Sequence, residues 1–457
     1  MKSIFFDLET TDLNFVGQIL NYAFVEVNED WSIESKLTGT IKISRLQLPN
    51  PYAILATGID VLEHNKNADD PEHFALVKIQ KYLQNIVEKQ PTRLIGYNSN
   101  NFDVPFLRTS MIRNGLNPYF GGSVKYGDLI HAVKRICCEN DDFVSILDKK
   151  EDGRPSYRLE SVTKSLGLLD RNKKQDHESL SDVLLTIELA KHLSNRYDLD
   201  IRNYDSYEPK SIKIGKCKIV KAYPRIEKGG EKTPEEYCYY ALLEQNKTQA
   251  LWINLKKFED GLEKESISWY NKNTSPFFIK ETINDSDFQL KSVKAIEELS
   301  HIKLENFWPD KNCDVEQFIY MLPINEISAL YDAIWRNDLF MIKERKSKYA
   351  SQLYLRFLCN NRDVDVVESQ IKNYALYRYG GKLKLDKENF DIEYQEGVYS
   401  DSFHPTYKEL IEKIDDLSSI KENFKLMSSL KEFYSKSIIA TVCGKELLKI
   451  HREVVED

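Results

Sequence analysis

The sequence predicts an α/β domain at its N-terminal end, a small β-rich domain after it and a helical C-terminal domain. Three observations predict this. Short apolar segments with alternating side chains follow one another from Ile4 to Ile43, and strand-to-helix junctions recur near Asp103 and Asp128. Alternation returns after Ser211 in short runs, and helical spacing takes over from Lys343. A chain of 457 residues is too long for one core, and roughly 100–200 residues per domain gives two to four domains.

A hydrophobic fraction of 41% and a charged fraction of 30% are those of a soluble globular chain. No apolar run reaches the roughly 18 residues of a membrane span, and no signal-peptide core precedes the first strand, so a cytoplasmic protein without membrane contact is expected. The seven cysteines (137, 138, 217, 238, 313, 359 and 443) form no CxxC pair, so neither a zinc ribbon nor a disulfide framework is suggested, and reduced thiols are the simplest account. The net charge of −8 speaks against nucleic-acid binding over the whole surface but leaves a local basic groove open.

The first strand, Ile4-Phe5-Phe6-Asp7-Leu8-Glu9-Thr10-Thr11, places Ile4, Phe6 and Leu8 toward a core. Asp7 and Glu9 share its other face with Phe5. Two carboxylates two positions apart lie roughly 6.5–7 Å from each other along a strand. In a partly dry site they repel and are costly to desolvate, and a divalent cation removes that cost. A solvated strand end accounts for an acidic pair as well.

Gln18–Val27 and Ser32–Ile43 continue as strands of an antiparallel meander, and Pro49 and Pro51 interrupt the pattern. Over 53–62 helix and loop are not separable. Glu72–Val87 has helical spacing. Arg93–Tyr97 is a short strand that runs into a polar loop and then a helix, with Pro105 in its first turn, Asp103 at or near its N-cap and Gly115 as its stop. Asp103 there has an ordinary capping role open to it. Asp128 stands at the next junction. Tyr157–Leu166 is helical and Gly167 ends it. Asp182 lies at or inside the start of a helix over Val183–Leu193. His177, five residues earlier, shares no face with Asp182 on a continuous helix, so it belongs on the loop ahead if the two converge.

Asp7-x-Glu9, then Gly96-Tyr97-Asn98-x-x-x-Phe102-Asp103, then His177-x-x-x-x-Asp182 resembles, in this order, the DEDDh family of 3′→5′ exonucleases, which has the RNase H-like fold. The resemblance implies a metal-binding quartet of Asp7, Glu9, Asp103 and Asp182, with His177 as general base. It implies two Mg²⁺ ions, replaceable by Mn²⁺, and nucleoside 5′-monophosphate products. Hard oxygen ligands suit these ions, and a histidine that titrates near neutrality suits a proton acceptor. Leu48-Pro49-x-Pro51, Ala56-Thr57-Gly58-Ile59, Leu94-Ile95-Gly96-Tyr97-Asn98 and the stretch from Asp152 through Arg158 to Glu160 narrow the likeness to the exonuclease I branch. What that implies is single-stranded DNA as substrate, in DNA repair or recombination. Thr10, Thr11, Thr57 and Gly58 would line the slot for the terminal nucleotide, with Tyr97, Phe102 and Arg158 beside it. A monomer recruited by single-stranded DNA-binding protein is expected on the same ground.

The likeness covers residues 1–197 clearly. Beyond it, 205–342 reads as β-rich, with a hairpin around Glu244–Gln249 and helices through Ile327–Trp335, and the resemblance implies an SH3-like module. Residues 343–457 read as helical. Lys343, Arg345, Lys346, Lys348, Lys372, Arg378 and nearby tyrosines supply what a single-strand groove needs, although a solvated helix with core tyrosines is an equal account. A DEDDh exoribonuclease and a non-catalytic binding protein are the competing functions. The residues beyond the catalytic domain are surplus for the first, and the intact quartet speaks against the second.

Overall fold

The computed structural model describes residues 2–120, 123–170, 178–197, 219–246, 249–271, 277–304, 322–338, 341–342, 348–361, 375–376, 378–379 and 405–443. Strand β1 (Lys2–Thr10) pairs antiparallel with β2 (Ile19–Val27), which pairs antiparallel with β3 (Ile33–Lys42). This is the expected meander. Helices α1 (Pro51–Thr57) and α2 (Val61–Asn67) follow, then the short β4 (Asp70–Pro71) and α3 (Glu72–Val87). Two helices separated by Gly58 resolve the stretch that the sequence left open. Pro51 takes the first helical position of α1, Asn50 caps it, and Gly58 ends it at φ 68°.

Strand β5 (Thr92–Gly96) leads into α4 (Asp103–Arg113), and β6 (Val124–Asp128) leads into α5 (Leu129–Glu139). Short helices α6 (Asp141–Ile146) and α7 (Leu159–Ser165) precede α8 (Ser179–Tyr197). The first sheet runs β4-β3-β2-β1-β5-β6, with β1, β5 and β6 parallel, so β1 lies in its interior.

Both faces of this sheet are covered. Ile4, Phe6 and Leu8 pack against α3 and α4, as the alternation predicts. Phe5, on the opposite face, is also fully buried, with residues of α5, α7 and α8. The sequence reading allowed for one core, and the second is what makes the Asp7–Glu9 face partly dry. Helix α8 begins at Ser179 rather than Val183, because Leu180 also packs against that core. Asp182 is therefore inside its first turn.

The second sheet joins β7 (Ile219–Ala222), β8 (Tyr239–Gln245), β9 (Gln249–Asn254), β10 (Ile267–Asn271) and β11 (Ile279–Ile283) in the order β10-β9-β8-β7-β11, every neighbouring pair antiparallel. Short helices α9 (Leu255–Glu259) and α10 (Glu263–Ser266) lie between β9 and β10. Helix α11 (Ser286–Glu298) buries Ala295 against one face, while Trp252, Tyr270 and Phe277 fill the other.

Helices α12 (Ile324–Arg336) and α13 (Lys348–Asn361) share one core across the expected domain limit at 342–343, and Ile112 of α4 joins it. Helices α14 (Tyr407–Ser418) and α15 (Phe424–Lys436) pack onto α1 and α2, burying Leu410, Met427 and Tyr434 with Leu20, Leu48, Ile54 and Val61. Leu20 reaches this core because the pairing of β1 with β2 passes from Glu9–Asn21 to Thr10–Ile19 and leaves it out of register. No helix among the described residues is long and apolar enough to cross a membrane.

Candidate active site

Asp7 and Glu9 project from β1 on the face covered by α8, and Asp182 meets them from the first turn of that helix. One carboxylate oxygen of each lies within 4.8 Å of the others. Asp7 and Glu9 are half-buried and Asp182 is buried. Asp103, the first residue of α4, comes in from the parallel side of β1. Its Oδ1 accepts the Leu8 backbone N–H at 3.0 Å, between the two strand carboxylates.

Burial is the main electrostatic effect on this cluster. It holds the Asp7 carboxyl well above the usual carboxylate range, and Asp103, Glu9 and Asp182 push it further the same way. Burial, then Asp182 and Asp103, raise Glu9 to about 8. Burial raises Asp103 to about 7 against the opposing Leu8 hydrogen bond. Carboxylates this close and this dry cannot all ionise near neutral pH without a compensating cation. All-oxygen donors of this charge fit a hard divalent ion.

The loop ahead of Asp103 is fastened from below. Asp128 caps α5 through the Ile130 N–H at 3.2 Å, and also accepts the backbone N–H groups of Asn98 at 2.7 Å and Asn100 at 3.0 Å. Its own carboxyl is raised to about 6 by burial, against those three hydrogen bonds. Asn98 sits at φ 63°, and a Cβ on Gly96 would come within 2.4 Å of Ser99 Cβ, so the turn needs glycine there. The sequence showed Asp128 only as a junction residue. Its capping position was readable, but its reach back to Asn98 is a tertiary contact that no spacing encodes.

The other expected site residues occupy distinct settings. Thr10 donates its hydroxyl to the Asp12 carbonyl at 2.7 Å, and the Thr11 hydroxyl accepts the Gln18 N–H at 2.8 Å, so both hydroxyls are committed to the β1–β2 turn. Thr57 ends α1 and Gly58 follows in the left-handed region, where the space a Cβ would enter is open. Tyr97 donates its hydroxyl to the Tyr157 carbonyl at 2.7 Å, and its ring packs against the Phe5 core. Phe102 precedes α4 and meets Phe106 at a ring separation of 5.0 Å. Arg158 is exposed at the N-cap of α7. His177 lies outside the described residues.

Acidic side chains gathered over an interior strand, on a mixed sheet with helices on both faces, are the arrangement of an exonuclease domain of RNase H-like type. Residues 4–190 match the family model RNase_T, described as exonuclease. Exodeoxyribonuclease I of Buchnera aphidicola (subsp. Schizaphis graminum) is 26% identical over 388 residues, which cover 83% of this chain and 70% of that protein. The crystal structure of Escherichia coli exonuclease I with a dT13 oligonucleotide superimposes with a TM-score of 0.67 at 16% identity, over 96% of this chain and all of that one. A zinc-bound form of the E. coli exonuclease I–single-stranded DNA complex superimposes with a TM-score of 0.65 at 16% identity, over 96% of this chain and 99% of that one.

Proposed function

We propose that this protein is a 3′→5′ exonuclease that degrades single-stranded DNA to nucleoside 5′-monophosphates. The observation that carries the reading is the convergence of Asp7, Glu9 and Asp182 over β1, with Asp103 pinned to the same strand. The likeness to exodeoxyribonuclease I along most of the chain supports DNA over RNA.

Asp7, Glu9, Asp103 and Asp182 would hold two divalent ions, Mg²⁺ by preference with Mn²⁺ as substitute. Bound there, such ions supply Lewis-acid stabilisation of the attacking and leaving oxygens in an in-line phosphoryl displacement. The chain's own part is orientation and proton transfer. The Leu8 N–H and the Asp128-fastened loop fix Asp103. His177 takes the proton from the attacking water as its oxygen bonds to the terminal phosphorus. The bond from phosphorus to the 3′-oxygen of the preceding nucleotide breaks, its electron pair going to that oxygen, which takes a proton from solvent to become the new 3′-hydroxyl. Thr10–Thr11 and Thr57–Gly58 border the slot for the terminal nucleotide. In this reading Tyr97, Phe102 and Arg158 stand beside the slot, Tyr97 from within the core, Phe102 packing a base and Arg158 meeting phosphate.

The same reading takes the five-stranded antiparallel sheet as an SH3-like module and sets domain limits at 1–197, 205–342 and 343–457. It makes the protein a monomer that single-stranded DNA-binding protein recruits. Substrate competition tests the function. With Mg²⁺ present, 3′-labelled single-stranded DNA should be degraded faster than RNA of the same sequence. Faster loss of the RNA would replace the proposal with an exoribonuclease.

A further inference from the structure

Two loops, one following β1 and one following β3, are held by the far end of the chain. The first follows β1 directly and turns through Asp12–Gly17 into β2. The second, Ser44–Asn50, runs into α1, which ends at Thr57–Gly58. They are tied to each other where they begin and end, because the Asn50 N–H donates to the Thr11 carbonyl at 2.7 Å.

Arg378 reaches both loops. It is buried at 5% exposure, and its Nη2 donates to the Val16 carbonyl at 3.0 Å and to Gln47 Oε1 at 3.1 Å. Burial raises the Asp12 carboxyl, with the Asn14 and Leu13 N–H groups and the Arg378 charge opposing it, and its Oδ1 accepts the Leu13 N–H at 2.7 Å and so shapes the first loop. The Tyr379 hydroxyl accepts the Leu48 N–H at 3.1 Å and donates to the Leu46 carbonyl at 3.4 Å. The Tyr434 hydroxyl, fully buried on α15, donates to the Pro49 carbonyl. Arg113 of α4 adds donors to the Val16 carbonyl at 3.1 Å and the Gly17 carbonyl at 2.8 Å. Arg378 and Tyr379 stand in the basic, tyrosine-containing stretch that the sequence offered as a nucleic-acid groove. Buried as they are, these two serve the loops instead.

We propose that Arg378, with the Tyr379 and Tyr434 hydroxyls, forms a positioning set for the hydrolytic slot. From the C-terminal segment these side chains set the paths of both loops that border the terminal nucleotide. Fidelity at the slot, and not only grip on a long strand, therefore depends on that segment. This rests on the exonuclease reading of the acidic cluster. Displacements of about 1 Å at a reacting centre cost about 100-fold in rate, so loosening the first loop, three residues beyond Glu9, and the second, bonded to it at Thr11, is felt in chemistry.

The test uses the full chain and short substrates that cannot reach beyond the slot. The quantity read is the ratio of kcat/KM for a trideoxynucleotide to that for the same trinucleotide ending in a 3′-terminal ribonucleotide. This ratio is independent of how much enzyme is folded, so a merely structural role leaves it unchanged. Arg378→Gln should move it by about 10-fold or more, with Arg378→Lys in between. Tyr379→Phe and Tyr434→Phe keep the rings and should move it the same way. They decide the matter if Arg378→Gln fails to fold. An unchanged ratio in every folded variant overturns the proposal, as does an effect confined to KM for long strands. If the unsubstituted protein hydrolyses no single strand in Mg²⁺, the exonuclease reading itself has failed. If it is active and the variants match it, this inference alone has failed.

Discussion

Asp7, Glu9 and Asp103 are held above the usual carboxylate range in the absence of a cation, and this has a measurable sign. In the folded protein Glu9 keeps its proton until about 8, whereas in the unfolded chain it releases it near 4.5. The folded state thus binds more protons across that window, and stability falls as pH rises through it. Metal-free protein should melt at progressively lower temperature between pH 5 and 8. Added Mg²⁺ should raise Tm more at pH 8 than at pH 5, since the cation replaces the protons. A flat or rising metal-free Tm would show that these carboxyls are not suppressed. Asp7→Asn should abolish Mg²⁺-dependent hydrolysis while raising the metal-free Tm by roughly 2–4 °C, the shift of about 1 kcal/mol in a domain of this size. Retained turnover would remove Asp7 from the site. His177→Ala should lower kcat by roughly 10²–10⁴-fold, the usual contribution of a general base, with KM kept. An unchanged kcat would assign the proton to another group.

At the scale of elements, the site depends on strand ends and helix starts, and these were unequally legible in the sequence. The alternation of Ile4, Phe6 and Leu8 gave β1, and Pro105 in the first turn marked the start of α4. Asp103 does not cap that helix: Phe102 is its N-cap, and the Asp103 carboxylate accepts the Leu8 N–H instead. The start of α8 was not marked, because Ser179, Ser181 and Asp182 look like a polar loop until Leu180 is seen in the Phe5 core. Burial of the Asp7–Glu9 face was hidden too, since a period of two cannot tell a solvated face from one covered by a helix arriving from much later in the chain. The loop between β5 and α4 gives the prediction at this scale. Asp128→Ala leaves the buried Asn100 N–H and the Asn98 N–H without their acceptor, at a cost of about 1–3 kcal/mol, and frees Asp103 to wander. Thermal melts should show that loss, and turnover should fall with it, while Asp128→Asn, which keeps one acceptor oxygen, should recover much of both. Equal behaviour of the two variants would mean that the loop is fastened elsewhere.

Over the whole molecule, the portions that the sequence divides are joined by shared cores. Leu20 and Ile54 lie in one cluster with Met427 and Tyr434, and Ile112 lies in another with Leu330 and Phe357. Contacts across several hundred residues leave no periodic trace, which is why the sequence could show a helical C-terminal portion without showing what it packs on. A net charge of −8 confines phosphate contact to local basic patches. DNA affinity should nonetheless fall steeply as salt rises, because each phosphate neutralised releases counterions, and a flat response would exclude a groove that tracks the backbone. The most direct test of the account is digestion of single-stranded DNA labelled at one end or the other, with Mg²⁺ and with chelator. The account predicts immediate release of a 3′ label as mononucleotide, a ladder shortening toward the 5′ end from the 5′-labelled strand, and no reaction in chelator. First release of the 5′ label, or undiminished hydrolysis in chelator, would contradict it.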